Sequence, residues 1–151
     1  MTTLESLDAL RDLAGKELGI SDWFTITQEQ ITQFAYITGD QQWIHVDSER
    51  AGRESPYGTT IAHGFFTLSL LSRFIRQTIE VRGIRMAVNY GLNRVRFPAV
   101  VRSESRVRAR VALQSLKDFP EGLEPTWLVT VECEGSEKPC CVAEWVTRYY
   151  R

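Results

Sequence analysis

Residues 62–79 read Ala62-His63-Gly64-Phe65-Phe66-Thr67-Leu68-Ser69-Leu70-Leu71-Ser72-Arg73-Phe74-Ile75-Arg76-Gln77-Thr78-Ile79, and this stretch decides the fold. Its Phe, Leu and Ile residues cover most of the circumference until Arg73 and Arg76 appear. A helix that is apolar nearly all round is buried in its own protein. The pattern therefore predicts one buried helix over about 62–79, opened by His63-Gly64 and preceded by a turn at Tyr57-Gly58-Thr59-Thr60.

The chain after Gly83 supplies the cover. Met86, Val88, Tyr90, Leu92 and Val95 alternate loosely until Phe97-Pro98-Ala99 interrupts. Over 102–116 the alternation is clear, with Arg106, Arg108 and Arg110 on one face, expected to be solvated, and Val107, Ala109 and Val111 on the other. Phe119-Pro120-Glu121-Gly122 reads as a turn, and 127–133 and 140–149 as strands joined by a hairpin loop over 135–139. Four strands that follow one buried helix predict an α+β fold, a curved antiparallel sheet wrapped around that helix.

Upstream, Leu4, Leu7, Leu10 and Leu13 recur every three residues and suggest an amphipathic turn or two. Thr27 and Gln30 form the two ends of a capping box, the stripe Ile31, Phe34, Ala35, Thr38 follows, and Gly39 sits where a helix stops. Asp40 then falls in a loop just past a helix C-terminus, and Asp47-Ser48-Glu49-Arg50 begins another short helix. No repeat, linker or low-complexity stretch divides the chain, so 1–151 is read as one domain.

Composition bounds the function. Apolar residues are 43% and charged residues 25%, the balance of a globular domain, and the net charge of −1 offers no bulk field for nucleic acid or an anionic membrane. No segment approaches the roughly 18 consecutive apolar residues of a membrane span. The N-terminus has no basic stretch followed by an apolar one, so no signal peptide is read. Cys133, Cys140 and Cys141 form neither a CxxC pair nor a disulfide framework and are taken as reduced structural thiols of a cytoplasmic protein.

The densest group of reactive side chains is Gly39-Asp40-Gln41-Gln42-Trp43-Ile44-His45-Val46-Asp47. An acid five residues before a histidine, after a helix, can place a carboxylate and an imidazole around one water, and imidazole titrates near neutral pH unaided. Gln42 would hold that water or one of the pair. The spacing alone more readily fits a surface loop in which Asp40 caps backbone amides and His45 packs on Trp43. The second group, Thr60 to Phe66, adds weight: Gly64 at a helix start offers an unpaired N–H, aided by the helix dipole, to a developing oxyanion. For His63 itself the expectation is a core histidine that donates to a backbone carbonyl. Two histidines 18 positions apart with dispersed carboxylates suggest no metal site. Arg94, Arg96 and Arg102 flank the Phe97-Pro98 break, where a guanidinium would suit a phosphate, though a solvated strand face reads equally well.

The run Phe34-Ala35-x-x-Thr38-Gly39-Asp40-x-Gln42-x-Ile44-His45-x-Asp47 resembles the hydratase motif of the MaoC-like, (R)-specific enoyl-CoA hydratases. His63-Gly64-Phe65-Phe66-Thr67-Leu68 matches the start of their central helix. Residues 42–47, 89–99 and 138–144 look more narrowly like the nodulation-protein-N-like branch, and the likeness runs from about Gly19 to Tyr149. The resemblance implies a hot-dog fold, a homodimer with active sites where subunits meet, and no cofactor beyond the CoA of the substrate. It implies hydration of trans-2-enoyl-CoA to (3R)-3-hydroxyacyl-CoA, with Asp40 and His45 as catalytic pair and Gly64 as oxyanion donor. Gln42, Ala62, His63, Asn89 and Arg94 are expected to contact substrate. Gln42-Trp43 departs from the family's Asn-Pro after the aspartate. An acyl-CoA thioesterase or a non-catalytic acyl-CoA-binding protein is the alternative on the same fold.

Overall fold

The computed structural model describes all residues from Met1 to Arg151. Strand β1 (Thr2–Leu4) is followed by a 3₁₀ helix (Leu7–Leu13), strands β2 (Lys16–Ile20) and β3 (Phe24–Ile26), and helices α1 (Gln28–Thr38), α2 (Trp43–Val46) and α3 (Ser48–Glu54). Helices α4 (Gly64–Ser69) and α5 (Leu71–Thr78) come next, then β4 (Ile79–Val81), β5 (Met86–Arg96), β6 (Ser105–Phe119), β7 (Gly122–Cys133) and β8 (Cys141–Tyr150). The large sheet runs β2-β6-β7-β8-β5, all antiparallel, with β3 also on β6. This is the expected α+β hot-dog arrangement, a long antiparallel sheet around a central helical segment.

The central helix is two pieces rather than the single one expected over 62–79. Ser69 donates its hydroxyl to the Phe66 carbonyl, the acceptor that an uninterrupted helix would give to Leu70 N–H. Leu70 N–H bonds to Thr67 O instead, which tightens the turn. Phe74, Leu71 and Ile75 of α5 still bury against Trp127, Val129 and Leu113 of the sheet. Thr78 ends the helix by donating to Ile75 O, and Ile79 passes into β4, which pairs parallel with β1.

Strands β2 and β3 were not expected, and β5 to β8 differ from expectation mainly at their ends. β6 and β7 meet at Pro120-Glu121, with Phe119 opposite Gly122, so β6 lies three residues later than the alternation indicated and β7 starts five residues earlier. The three arginines expected in solvent form a ladder: Arg106 pairs with Glu134, Arg108 and Arg110 with Glu132, and Arg110 also with Glu17. Antiparallel register is the reason, since it sets Arg108 opposite Glu132 and brings β2 beside Arg110. No helix is long and apolar enough to cross a membrane.

Candidate active site

The site is built at the end of α1. Thr27 caps this helix and Gln30 completes the capping box, as expected. Gly39 closes it at φ 78°, a left-handed conformation that glycine adopts without strain. That turn delivers Asp40 to the surface with its carboxylate half-exposed.

His45 lies not in a loop but in α2, a single turn whose first residue is Trp43. Gln42 at the N-cap has extended backbone (φ −56°, ψ 140°), the conformation favoured before proline, and Trp43 occupies the first helical position, where proline is favoured. The turn therefore keeps the geometry of Asn-Pro without the proline, and Arg50 stacks its guanidinium 4.4 Å above the Trp43 ring. The expectation that His45 packs on Trp43 as a loop residue gives way to a buried imidazole, 7% exposed.

Two backbone anchors fix that imidazole. Its Nδ1 donates to the Ile61 carbonyl at 2.7 Å, and Ile61 N–H returns a bond to Ile44 O at 3.0 Å. A carbonyl only accepts, so Nδ1 carries the proton and Nε2 keeps its lone pair. Burial pushes the His45 imidazole below its ordinary value, and the His63 ring adds to this; the Ile61 carbonyl and Asp40 pull the other way. The imidazole is thus held as a neutral base beside a carboxylate.

Gln28, the first residue of α1, adds a contact that the sequence did not single out. Its side chain donates to the His45 carbonyl at 2.8 Å and accepts from the Thr60 hydroxyl, so it ties α2 to the segment that carries Ile61. Nothing local in the sequence marks this role, because its partners lie 17 and 32 residues away.

His63 donates from Nε2 to the Asp40 carbonyl at 2.9 Å, as its core reading anticipated. Its ring also stacks on His45, with centroids 3.8 Å apart, and meets Phe34 at a tilt with centroids 5.0 Å apart. Asp40, His45 and His63 thereby bring ligating atoms within 4.8 Å of one another, although the sequence suggested dispersed groups. One nitrogen of each ring is committed to a carbonyl, which leaves each ring one free lone pair.

Gly64 opens α4 directly after His63. The carbonyl four residues earlier, that of Thr60, is taken by Ser103 N–H, and the Gly64 N–H has no intrahelical partner. With only six residues α4 adds little dipole, and what it offers is the free N–H itself. Phe97 seals the other side, 3.1 Å from where a Cβ on Gly64 would stand.

The remaining expected contacts scatter. Ala62 is buried and gives its N–H to Val101 O at 2.8 Å. Gln42 is exposed and its amide has no protein partner. Asn89 sits on β5 and lines a cleft of about 260 Å³ with Phe65, Leu68, Leu92 and Trp145, which adjoins a second of about 500 Å³ along α5. Arg94 is not brought to the site: it shares a recess of the sheet with Arg96, Leu128, Val142 and Glu144.

The MaoC like domain family matches residues 10–130, and the chain belongs to it. It is 55% identical over 150 residues to 3-hydroxyacyl-thioester dehydratase Z of Mycobacterium tuberculosis, covering 99% of each chain. Nodulation protein N of Rhizobium leguminosarum is 47% identical over 135 residues, 88% of this chain and 84% of that one. Among solved structures, an R-hydratase of Pseudomonas aeruginosa superposes with a TM-score of 0.72 at 18% identity, covering 91% and 82%; that likeness speaks to the fold.

Proposed function

We propose that the protein adds water reversibly to trans-2-enoyl thioesters, giving (3R)-3-hydroxyacyl products, with coenzyme A as the acyl carrier. The observation that carries this is the fixed tautomer of His45: Nδ1–H locked on Ile61 O, Nε2 left basic, and the Asp40 carboxylate near it.

The thioester carbonyl accepts the Gly64 N–H, which draws electron density from the C2–C3 double bond. Asp40 and His45 hold one water over C3. As its oxygen bonds to C3, His45 Nε2 takes a proton, and Asp40 stabilises the imidazolium. That proton then passes to C2 on the same face, so one molecule of water is added syn and His45 returns to neutral. General base catalysis of this kind contributes roughly 10²–10⁴-fold and an oxyanion donor about 10²–10³-fold. Neither step calls for a metal or cofactor. The apolar clefts that begin at Phe65, one residue past Gly64, suit the acyl chain.

The working unit is taken to be a homodimer. β5 is the last strand of the sheet, and Val88, Tyr90 and Leu92 on it are all more than 40% exposed. A long edge strand with exposed apolar side chains calls for cover.

Crotonyl-CoA and longer 2-enoyl-CoAs, followed by loss of the conjugated thioester absorbance, test the proposal. Activity that disappears in Asp40→Asn and in His45→Gln supports it. Release of free thiol from saturated acyl-CoA, with no hydration, would instead identify a thioesterase and overturn it.

A further inference from the structure

His63 is 4% exposed, and its Nδ1 has no hydrogen-bond partner. A buried nitrogen without a donor costs free energy that a hydrocarbon ring would not. The surroundings would accept such a ring: Phe34 lies tilted against the imidazole at 5.0 Å, and Phe66 stacks on Phe34 at 5.2 Å. Packing alone therefore argues for phenylalanine here. What the imidazole has and phenylalanine lacks is the Nε2–H that holds the Asp40 carbonyl. It also stands face to face with His45 and directly precedes Gly64.

We infer that His63 is a positioning residue for the reaction, fixing the Asp40 backbone and the His45 ring in one frame with the Gly64 N–H. The inference rests on the hydratase reading for its kinetic consequence, but its geometric part stands apart from turnover. Asp40 and His63 are the titratable groups that act on His45; from α1 the neighbours are the neutral Gln28 and Phe34, and Asp47 of the α3 cap is turned to Arg50 N–H. Two stacked rings resist carrying two positive charges, so His63 favours the neutral, basic form of His45.

The test uses the untagged protein, which holds two histidines, so His63→Phe leaves a single imidazole for an NMR pH titration. In that variant the His45 midpoint should move upward, because the lowering influence of the His63 ring is removed and an aromatic face favours imidazolium. The thermal midpoint should hold or rise. Turnover of crotonyl-CoA should fall roughly 10²-fold in kcat with KM little changed, as expected when a reacting pair is misplaced. His63→Gln, whose amide can reach the Asp40 carbonyl, should recover part of that loss. A Phe variant with wild-type kcat and an unmoved His45 titration overturns the inference. So do parallel losses of stability and kcat in both variants with that titration unmoved, which would mark a structural residue. Wild-type protein inert on every enoyl-CoA would defeat the hydratase reading alone, and the His45 titration would still decide this one.

Discussion

His45 donates its Nδ1–H to the carbonyl of Ile61 at 2.7 Å, and this bond turns a buried histidine into a base with a defined lone pair. Ile61 lies 16 residues away, on the segment that leads into Gly64. Base and oxyanion donor are thus registered against each other by backbone rather than by long side chains.

The first consequence is pH dependence. Burial, with help from the His63 ring, holds His45 below its ordinary value of 6.5. The neutral base persists as pH falls past 6.5, so the acidic limb of kcat/KM should lie below that point. Stability falls on acidification as well, and sooner. Between the two midpoints the unfolded chain binds a proton at this position that the folded one does not, so acidification through 6.5 weakens the fold. Urea unfolding at several pH values should show this slope in wild type and a smaller one in His45→Gln.

Gly64 gives the second. Its backbone is not in the left-handed region, so alanine is conformationally acceptable, but the new methyl would meet the Phe97 ring at 3.1 Å. Phe97 is 41% exposed and able to yield. Gly64→Ala should remain folded, lose about 1 kcal/mol, and lose far more activity than stability as the approach to the N–H is obstructed. Adding Phe97→Leu should restore the melting temperature, which calorimetry would record.

How far the sequence led depends on the distance over which each feature is determined. The capping box at Thr27 and Gln30, the Gly39 stop and the Val107-Ala109-Val111 stripe were all legible, because each is set within a few residues. The break at Leu70 was not, since it depends on Ser69 choosing a backbone acceptor over solvent. β1 and β4 were missed because three-residue strands carry no period, and their pairing spans 77 positions. At the site, Asp40, His45 and Gly64 stood out by residue type and spacing. Gln28 and the His45–His63 stack did not, since contacts between distant segments leave no local pattern.

Gln28 yields the third prediction. Its amide is shared between His45 O and Thr60 Oγ1, and Gln28→Ala strands both groups in a largely water-free place. The loss should be about 1–3 kcal/mol in chemical denaturation, together with a fall in kcat as α2 loosens. Gln28→Glu keeps the acceptor for Thr60 but cannot donate to His45 O. It should recover less activity than stability, and equal recovery of both would argue against a role for the His45 anchor.

The last concerns the edge of the sheet. β5 pairs with β8 along one side only, from Met86 opposite Tyr150 to Arg96 opposite Val142, and its other side has no strand. Val88 and Leu92 stand 43% exposed and Tyr90 58%, although a lone edge normally carries charge to deter pairing. Tyr90 is held flat by Arg148, whose guanidinium lies 3.6 Å from the ring centroid, so it presents a rigid rather than a mobile surface. If a second copy covers this edge, charge placed on it should split the dimer without unfolding the chain. Leu92→Lys is the sharper variant, because Leu92 also lines the cleft beside Phe65. Sedimentation should report half the wild-type mass, with circular dichroism unchanged. Hydratase activity should fall with the dimer if the partner completes the cleft, and a variant that stays dimeric would place the subunit contact elsewhere.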